Sequence, residues 1–163
     1  MAITKLVSDS LGAGVGGKVL QVVTAETSTA VSQTADAFIS SGLTASITPS
    51  STSNKILVLT STQATFQGDG SSSSGRVAFA ALFRGTVSDT NLQQQTIGLS
   101  DRTASTSSGT KSSMNICFNY LDSPATTSAQ TYTVGISGNG ATDVIAQLSS
   151  GSKSTITLLE VSA

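Results

Sequence analysis

Histidine and tryptophan are absent from these 163 residues, and cysteine occurs once, at Cys117. Without histidine the commonest general base and metal ligand is missing. One cysteine can build neither an internal disulfide nor a thiolate cluster for zinc or iron–sulfur, so the chain has no need of an oxidising compartment. Cys117, within "MNICFNYLD", is expected as a small buried hydrophobe on a strand. Charge is scarce too: charged residues make up 10% of the chain, with a net charge of −1, against about a quarter in ordinary soluble domains. Eight scattered Lys and Arg form no basic stripe, which argues against nucleic acid as a partner. No run approaches the roughly 18 apolar residues of a membrane-spanning helix, so no membrane insertion is expected, and the N-terminus has the wrong flanks for a secretory signal.

Catalytic constellations are equally thin. The nine carboxylates are Asp9, Glu26, Asp36, Asp69, Asp89, Asp101, Asp122, Asp143 and Glu160, no two within five residues of one another. A paired acid and base would require separate strands to converge. "GDGSSSSG" opens like a calcium loop at Asp69 but lacks the further oxygen ligands at regular spacing. "GAGVGG" (12–17) fits the spacing G-x-G-x-x-G, yet strand-like "KVLQVV" follows where a helix N-terminus should stand, so a hinge is the better reading. Asp122 in "YLDSPATTS" reads as a turn residue whose carboxylate serves nearby backbone N–H groups. No enzyme activity, cofactor or metal is expected.

What the chain does have is Ser and Thr, about a third of its residues. Disorder is disfavoured because 37% of the chain is apolar and the net charge is small. A chain of this length suits one domain, which can bury about two-thirds of its unfolded surface. Near-zero charge favours association, so an assembly is expected.

Periodicity is two throughout. In "RVAFAALFRG" (76–85) Val77, Phe79, Ala81 and Phe83 share one face; in "SSMNICFNYLD" (112–122) Met114, Ile116, Phe118 and Tyr120 alternate with polar residues. Further strands are expected at 18–24, 42–48, 55–66, 91–99, 129–137, 141–148 and 154–162. Loops rich in Ser, Gly and Asp fall at 48–54, 67–75, 100–110, 121–128, 137–140 and 149–153. The pattern predicts an all-β fold: a jelly-roll-like antiparallel sandwich of about eight to nine strands with a short extended N-terminal arm. Residues 1–17 form the arm and its Gly-rich hinge, and 18–163 form the sandwich. "KILVL" (55–59) reads as the first half of a long central strand whose outer residues, Leu57 and Leu59, need a covering loop or a neighbouring subunit.

The phrases "GVGGKVLQVV", "GLTASITPSSTSNKILVL", "NYLDSPATTSAQTYTV" and "SGSKSTITLLEVSA" resemble a recurrent β-sandwich domain of phage structural proteins, often found at tail-fibre tips. The similarity covers about residues 15–163. It implies a jelly-roll-like head that forms homotrimers on the virion surface, touches the host envelope or the capsid shell, is assembled in the host cytoplasm, and has no catalytic residues to carry over.

Two roles are compatible with this. In a short tail fibre, the distal loops (Asp69, Ser72, Ser105 and Ser107) would contact a host-surface glycan, although no Trp and only Tyr120 and Tyr132 are available as sugar platforms. In a capsid decoration protein, the arm residues Ile3, Leu6, Val7 and Leu11 would clip onto other virion proteins; they could equally anchor the fibre to the tail. The trimer interface is expected at Leu57 and Leu59, or on the face with Phe79 and Phe83.

Overall fold

A computed structural model describes residues 17–68, 76–99, 111–138, 142–146 and 152–163. Among them are eleven strands: β1 (Val19–Thr27), β2 (Val31–Gln33), β3 (Ile39–Ile47), β4 (Lys55–Gly68), β5 (Arg76–Arg84), β6 (Thr90–Leu99), β7 (Lys111–Ile116), β8 (Asn119–Asp122), β9 (Gln130–Ser137), β10 (Thr142–Ala146) and β11 (Ser154–Val161). No helix occurs among the described residues. Every strand stretch expected from the sequence contains a strand among the described residues.

β4 organises the larger sheet. Its first half pairs with β11 on one side and β8 on the other, and its second half pairs with β10 and β7. β10 and β11 are therefore two collinear pieces of one long strand, as are β7 and β8. β1 and β2 extend the sheet beyond β11 and β10 in the same way. Counted as long strands, the described residues form eight. The first, eighth, third and sixth form one antiparallel sheet, and the second, seventh, fourth and fifth form the other, β3-β9-β5-β6. Two interleaved Greek keys of this order make a jelly roll.

The strand expected over 112–122 divides at Cys117 and Phe118. Opposite them on β4, Thr60 N donates to Phe118 O at 2.9 Å, but Phe118 N donates to the Thr60 hydroxyl at 3.0 Å instead of to a carbonyl. Register survives the break, with Ile116 opposite Thr62 and Asn119 opposite Leu59. Phe118 points into the core, and Cys117, contrary to expectation, is exposed. Alternation explains this: with Ile116 and Phe118 facing inward, Cys117 must face outward.

The core lies between the sheets. Ile56, Val58, Ala64 and Phe66 of β4 meet Leu43, Ala45 and Ile47 of β3, Ala78, Ala80 and Leu82 of β5, and Tyr132, Val134 and Ile136 of β9. Leu158 and Ile156 of β11 complete it. Small alanines on β5 let the bulkier residues opposite interdigitate at normal packing density.

One loop residue is held against its preference. Ala125, after Pro124, has φ of +53°, a left-handed conformation that costs an L side chain roughly 1–2 kcal/mol. Ala125→Gly is expected to raise stability by about 0.5–1 kcal/mol once the added chain entropy of glycine is subtracted. Urea unfolding would measure it, and a loss of stability would refute the account.

Candidate assembly surface

Alternation along β4 sends Ile56 and Val58 inward and Leu57 and Leu59 outward. The registers then place the neighbours of Leu57. Val22 of β1 faces Leu159 of β11, Leu159 faces Leu57, and Leu57 faces Leu121 of β8. Four aliphatic side chains thus run in one row across the whole sheet, on its outer face. Val19 and Leu20 flank the row on one side, where Val161 faces Lys55. On the other side stand Thr24, Thr157, Leu59 and Asn119.

The ends of this band are open. Val22 is 55% exposed, Leu121 50%, Val19 50% and Leu20 44%. Side chains of this kind gain about 1.5–3 kcal/mol each when fully buried, so covering the open ends of the band would be favourable. Farther along the same face, toward β7, the surface turns polar: Ser61 and Asn115 bond each other, as do Thr65 and Ser113 at 2.8 Å. The band therefore occupies one end of the face only.

The other sheet's outer face differs. Phe79 is half-buried, while Phe83 is only 3% exposed and meets Phe38 edge-to-face at 5.3 Å. Gly135 lies directly beneath: a Cβ there would come within 2.8 Å of the Phe83 ring. Phe83 thus finds its partners within its own chain, whereas Leu57 and Leu59 look outward. Beside this cluster a depression of about 400 Å³ is lined by Ser40, Thr44, Gly85, Thr86, Val87, Thr131 and Thr133, with no charged or aromatic group. Its hydroxyls are committed: Thr133 donates to the Gly85 carbonyl at 2.8 Å, Thr44 to the Tyr132 carbonyl at 3.1 Å, and Thr86 to Asp89 at 2.8 Å.

Directly beneath the band, on the inner face, two carboxylates flank Ile56 in one row: Glu160 on β11 and Asp122 on β8. Glu160 is 1% exposed and accepts hydrogen bonds from Ser50 N (2.6 Å), Ser50 Oγ (2.7 Å), Asn54 Nδ2 (2.6 Å) and Gln21 Nε2 (2.6 Å). Burial pushes its pKa up, but the donors of Asn54, Ser50 and Gln21 outweigh burial and hold it at about 2. It anchors the "TPSSTSN" loop to the sheet. Asp122 accepts from Tyr132 Oη at 2.7 Å and from Arg84 Nη1 at 3.0 and 3.2 Å, tying β8 to the opposite sheet. It also accepts from Ser123 N at 2.9 Å, the turn role read from sequence. Burial, then the bond to Asp122, raises the Tyr132 pKa well above its ordinary value. These carboxylates brace the floor of the band, and among the described residues no three His, Cys, Asp or Glu side chains group as a metal site.

The arm residues Ile3, Leu6, Val7 and Leu11 and the loop residues Asp69, Ser72, Ser105 and Ser107 lie outside the described residues. Val22, Leu121 and Leu159 escape a sequence reading as companions of Leu57 because only the register brings them into line. Period-two alternation in "VLQVV" and "TLLEV" is the signal that could have found them.

The fold and this surface define a jelly-roll domain with an apolar band at one end of one outer face. Jelly rolls serve viral capsids, lectins and cupins, so the fold by itself selects no function. No family model matches the chain, and no curated protein is similar to it. Among solved structures, that of the Gx strain of infectious bursal disease virus is similar at a TM-score of 0.36 and 13% identity, over 88% of this chain and 40% of that one. The VP2 subviral particle of the same virus is similar at 0.30 and 10%, over 88% and 38%. This chain spans well under half the length of those it matches, and likeness at this level carries no functional argument.

Proposed function

We propose that this chain is a non-enzymatic virion structural protein: a homotrimer joined through the β1–β11–β4–β8 face, serving as a short tail fibre that bears a distal host-recognition head. The observation that carries the reading is the row Val22–Leu159–Leu57–Leu121, with Leu59 beside it, an aliphatic band on the outer face with Lys55 at its margin. Low charge and the resemblance in "ITPSSTSNKILVL" and "YLDSPATTSAQTY" support the same assignment.

Capsid decoration is the second reading, and the tyrosines favour it. Tyr132 is fully buried and Tyr120 packs on the core, so neither offers a ring face to a sugar. A decoration protein needs no such platform.

Leu57→Glu would place a charge at the centre of the band without touching the core. Native mass spectrometry should report a trimer for the wild type and a monomer for the variant, with circular dichroism unchanged. A monomeric wild type, or a trimer that survives the substitution, would refute the interface. Copy number in purified virions then separates the roles: a few to a few tens at the tail for the fibre, hundreds over the head for decoration.

A further inference from the structure

We propose that the depression on the outer face of the β3-β9-β5-β6 sheet is a docking slot for a lysine side chain of a partner protein. It lies on the sheet opposite to the apolar band, so its occupancy is independent of how the band is covered.

The chain's own bonds hold the slot open. Thr44 of β3 and Thr133 of β9 stand opposite each other in register and form its floor, with Ser40 and Thr131 to either side. The turn after β5 is its wall. Gly85 bends the chain there at φ +100°, a conformation that L side chains rarely adopt. Its N–H donates to Thr131 O at 2.7 Å and its carbonyl accepts from Thr133 Oγ1 at 2.8 Å, so the turn is pinned to β9 through both of its backbone groups. Val87 rests on Gly135, where a Cβ would come within 3.0 Å of it.

The hydroxyl protons decide what the slot accepts. A threonine has one proton to give and two lone pairs. Thr133 gives its proton to Gly85 O, Thr44 to Tyr132 O at 3.1 Å, and Thr86 to Asp89 Oδ2 at 2.8 Å. The Thr44 and Thr133 oxygens are 3.3 Å apart, longer than an O–H···O bond normally runs. With both protons directed at carbonyls, this pair presents lone pairs to a visitor, and one incoming donor satisfies both oxygens. The rest of the lining is mainly apolar carbon.

Charge has the matching sign. Asp89 accepts from Thr86 N at 2.6 Å as well as from its hydroxyl, and these bonds, the backbone one first, hold its carboxyl below the ordinary carboxylate range. An ionised group therefore stands directly behind the wall of Gly85 and Thr86. Arg84, the cation next to it in the chain, is turned away to Asp122 in the opposite sheet. Acceptors on an apolar slot backed by a carboxylate fit a four-carbon stem that ends in an ammonium with three donors, which is lysine. A guanidinium would want a carboxylate within the slot to grip with two bonds. The volume, about 400 Å³, is far more than a bare cation fills and leaves room for the backbone that carries the side chain.

The test titrates the full isotope-labelled chain with capped lysine, capped norleucine and capped Nε-acetyllysine and follows amide shifts by NMR. Capped lysine should move Thr44, Gly85, Thr86 and Thr133 and bind about fivefold tighter than either neutral analogue, the effect of one partly exposed ion pair. Asp89→Asn, whose amide oxygen can still accept from Thr86 N, should lose most of that preference. Thr44→Val should weaken lysine and leave norleucine unchanged. Norleucine binding as well as lysine, an absence of shifts at the slot, or a preference that survives Asp89→Asn would overturn the proposal. n-Butylammonium binding more tightly than capped lysine would assign the slot to a free amine and overturn the protein partner.

Discussion

Glu160→Ala is expected to lower the free energy of unfolding by about 2 kcal/mol, because it strands the buried Asn54 amide and leaves the Ser50 and Gln21 donors to water. The donors at Ser50, Asn54 and Gln21 all lie between 2.6 and 2.7 Å from its oxygens, and charge-assisted bonds of that length are the stronger kind. Glu160→Gln should cost less, since one amide oxygen remains to accept. The same group sets an acid dependence. Its folded pKa, about 2, is below the ordinary 4.5, so folding favours the ionised form. The stabilisation is fully present above the ordinary value and drains as pH falls from about 5 toward 2. Urea unfolding at pH 7, 4, 3 and 2 should therefore show the wild type losing stability faster than Glu160→Gln. Parallel pH profiles for the two would disprove the role.

Asp122→Ala should cost about 3 kcal/mol by equilibrium unfolding. It leaves Arg84 unpaired and the buried Tyr132 hydroxyl without an acceptor. Arg84 keeps 29% of its side-chain exposure, so water repays part of the loss and the figure stays at the lower end for a buried pair. A double-mutant cycle with Arg84→Ala makes the coupling explicit: the double variant should cost at least 0.5 kcal/mol less than the sum of the single ones. Strict additivity would mean that the ion pair contributes nothing.

Much of this architecture is legible in the sequence, and the gaps have physical reasons. Period-two alternation marks the long strands because one face of each is buried. β2 escapes notice since it has three residues, Val31–Gln33, which among the described residues pair with β10 alone, and it sits in a Ser- and Thr-rich stretch. The break at Cys117 is invisible because Thr60, which supplies the substitute acceptor, lies 58 residues away. Likewise the turn role of Asp122 could be read from its neighbours, but Arg84 and Tyr132 reach it from 38 and 10 residues away. Leu57 was readable as an outward residue within an apolar run. What stood beyond reach was the row it joins, since register between distant strands is a tertiary fact.

The pairing of β1 with β11 sets the order of events in synthesis. Val19 lies opposite Val161, 142 residues later, and β11 is the strand that joins β1 to β4. Until β11 leaves the ribosome, β1 lacks the strand it pairs with among the described residues, and the central strand lacks its neighbour on that side. Topologies dominated by such distant pairings fold in milliseconds to seconds, slowly for their size. "VLQVV" and "KILVL" therefore stay without that cover until β11 has been made, which leaves two apolar stretches open to other chains during synthesis.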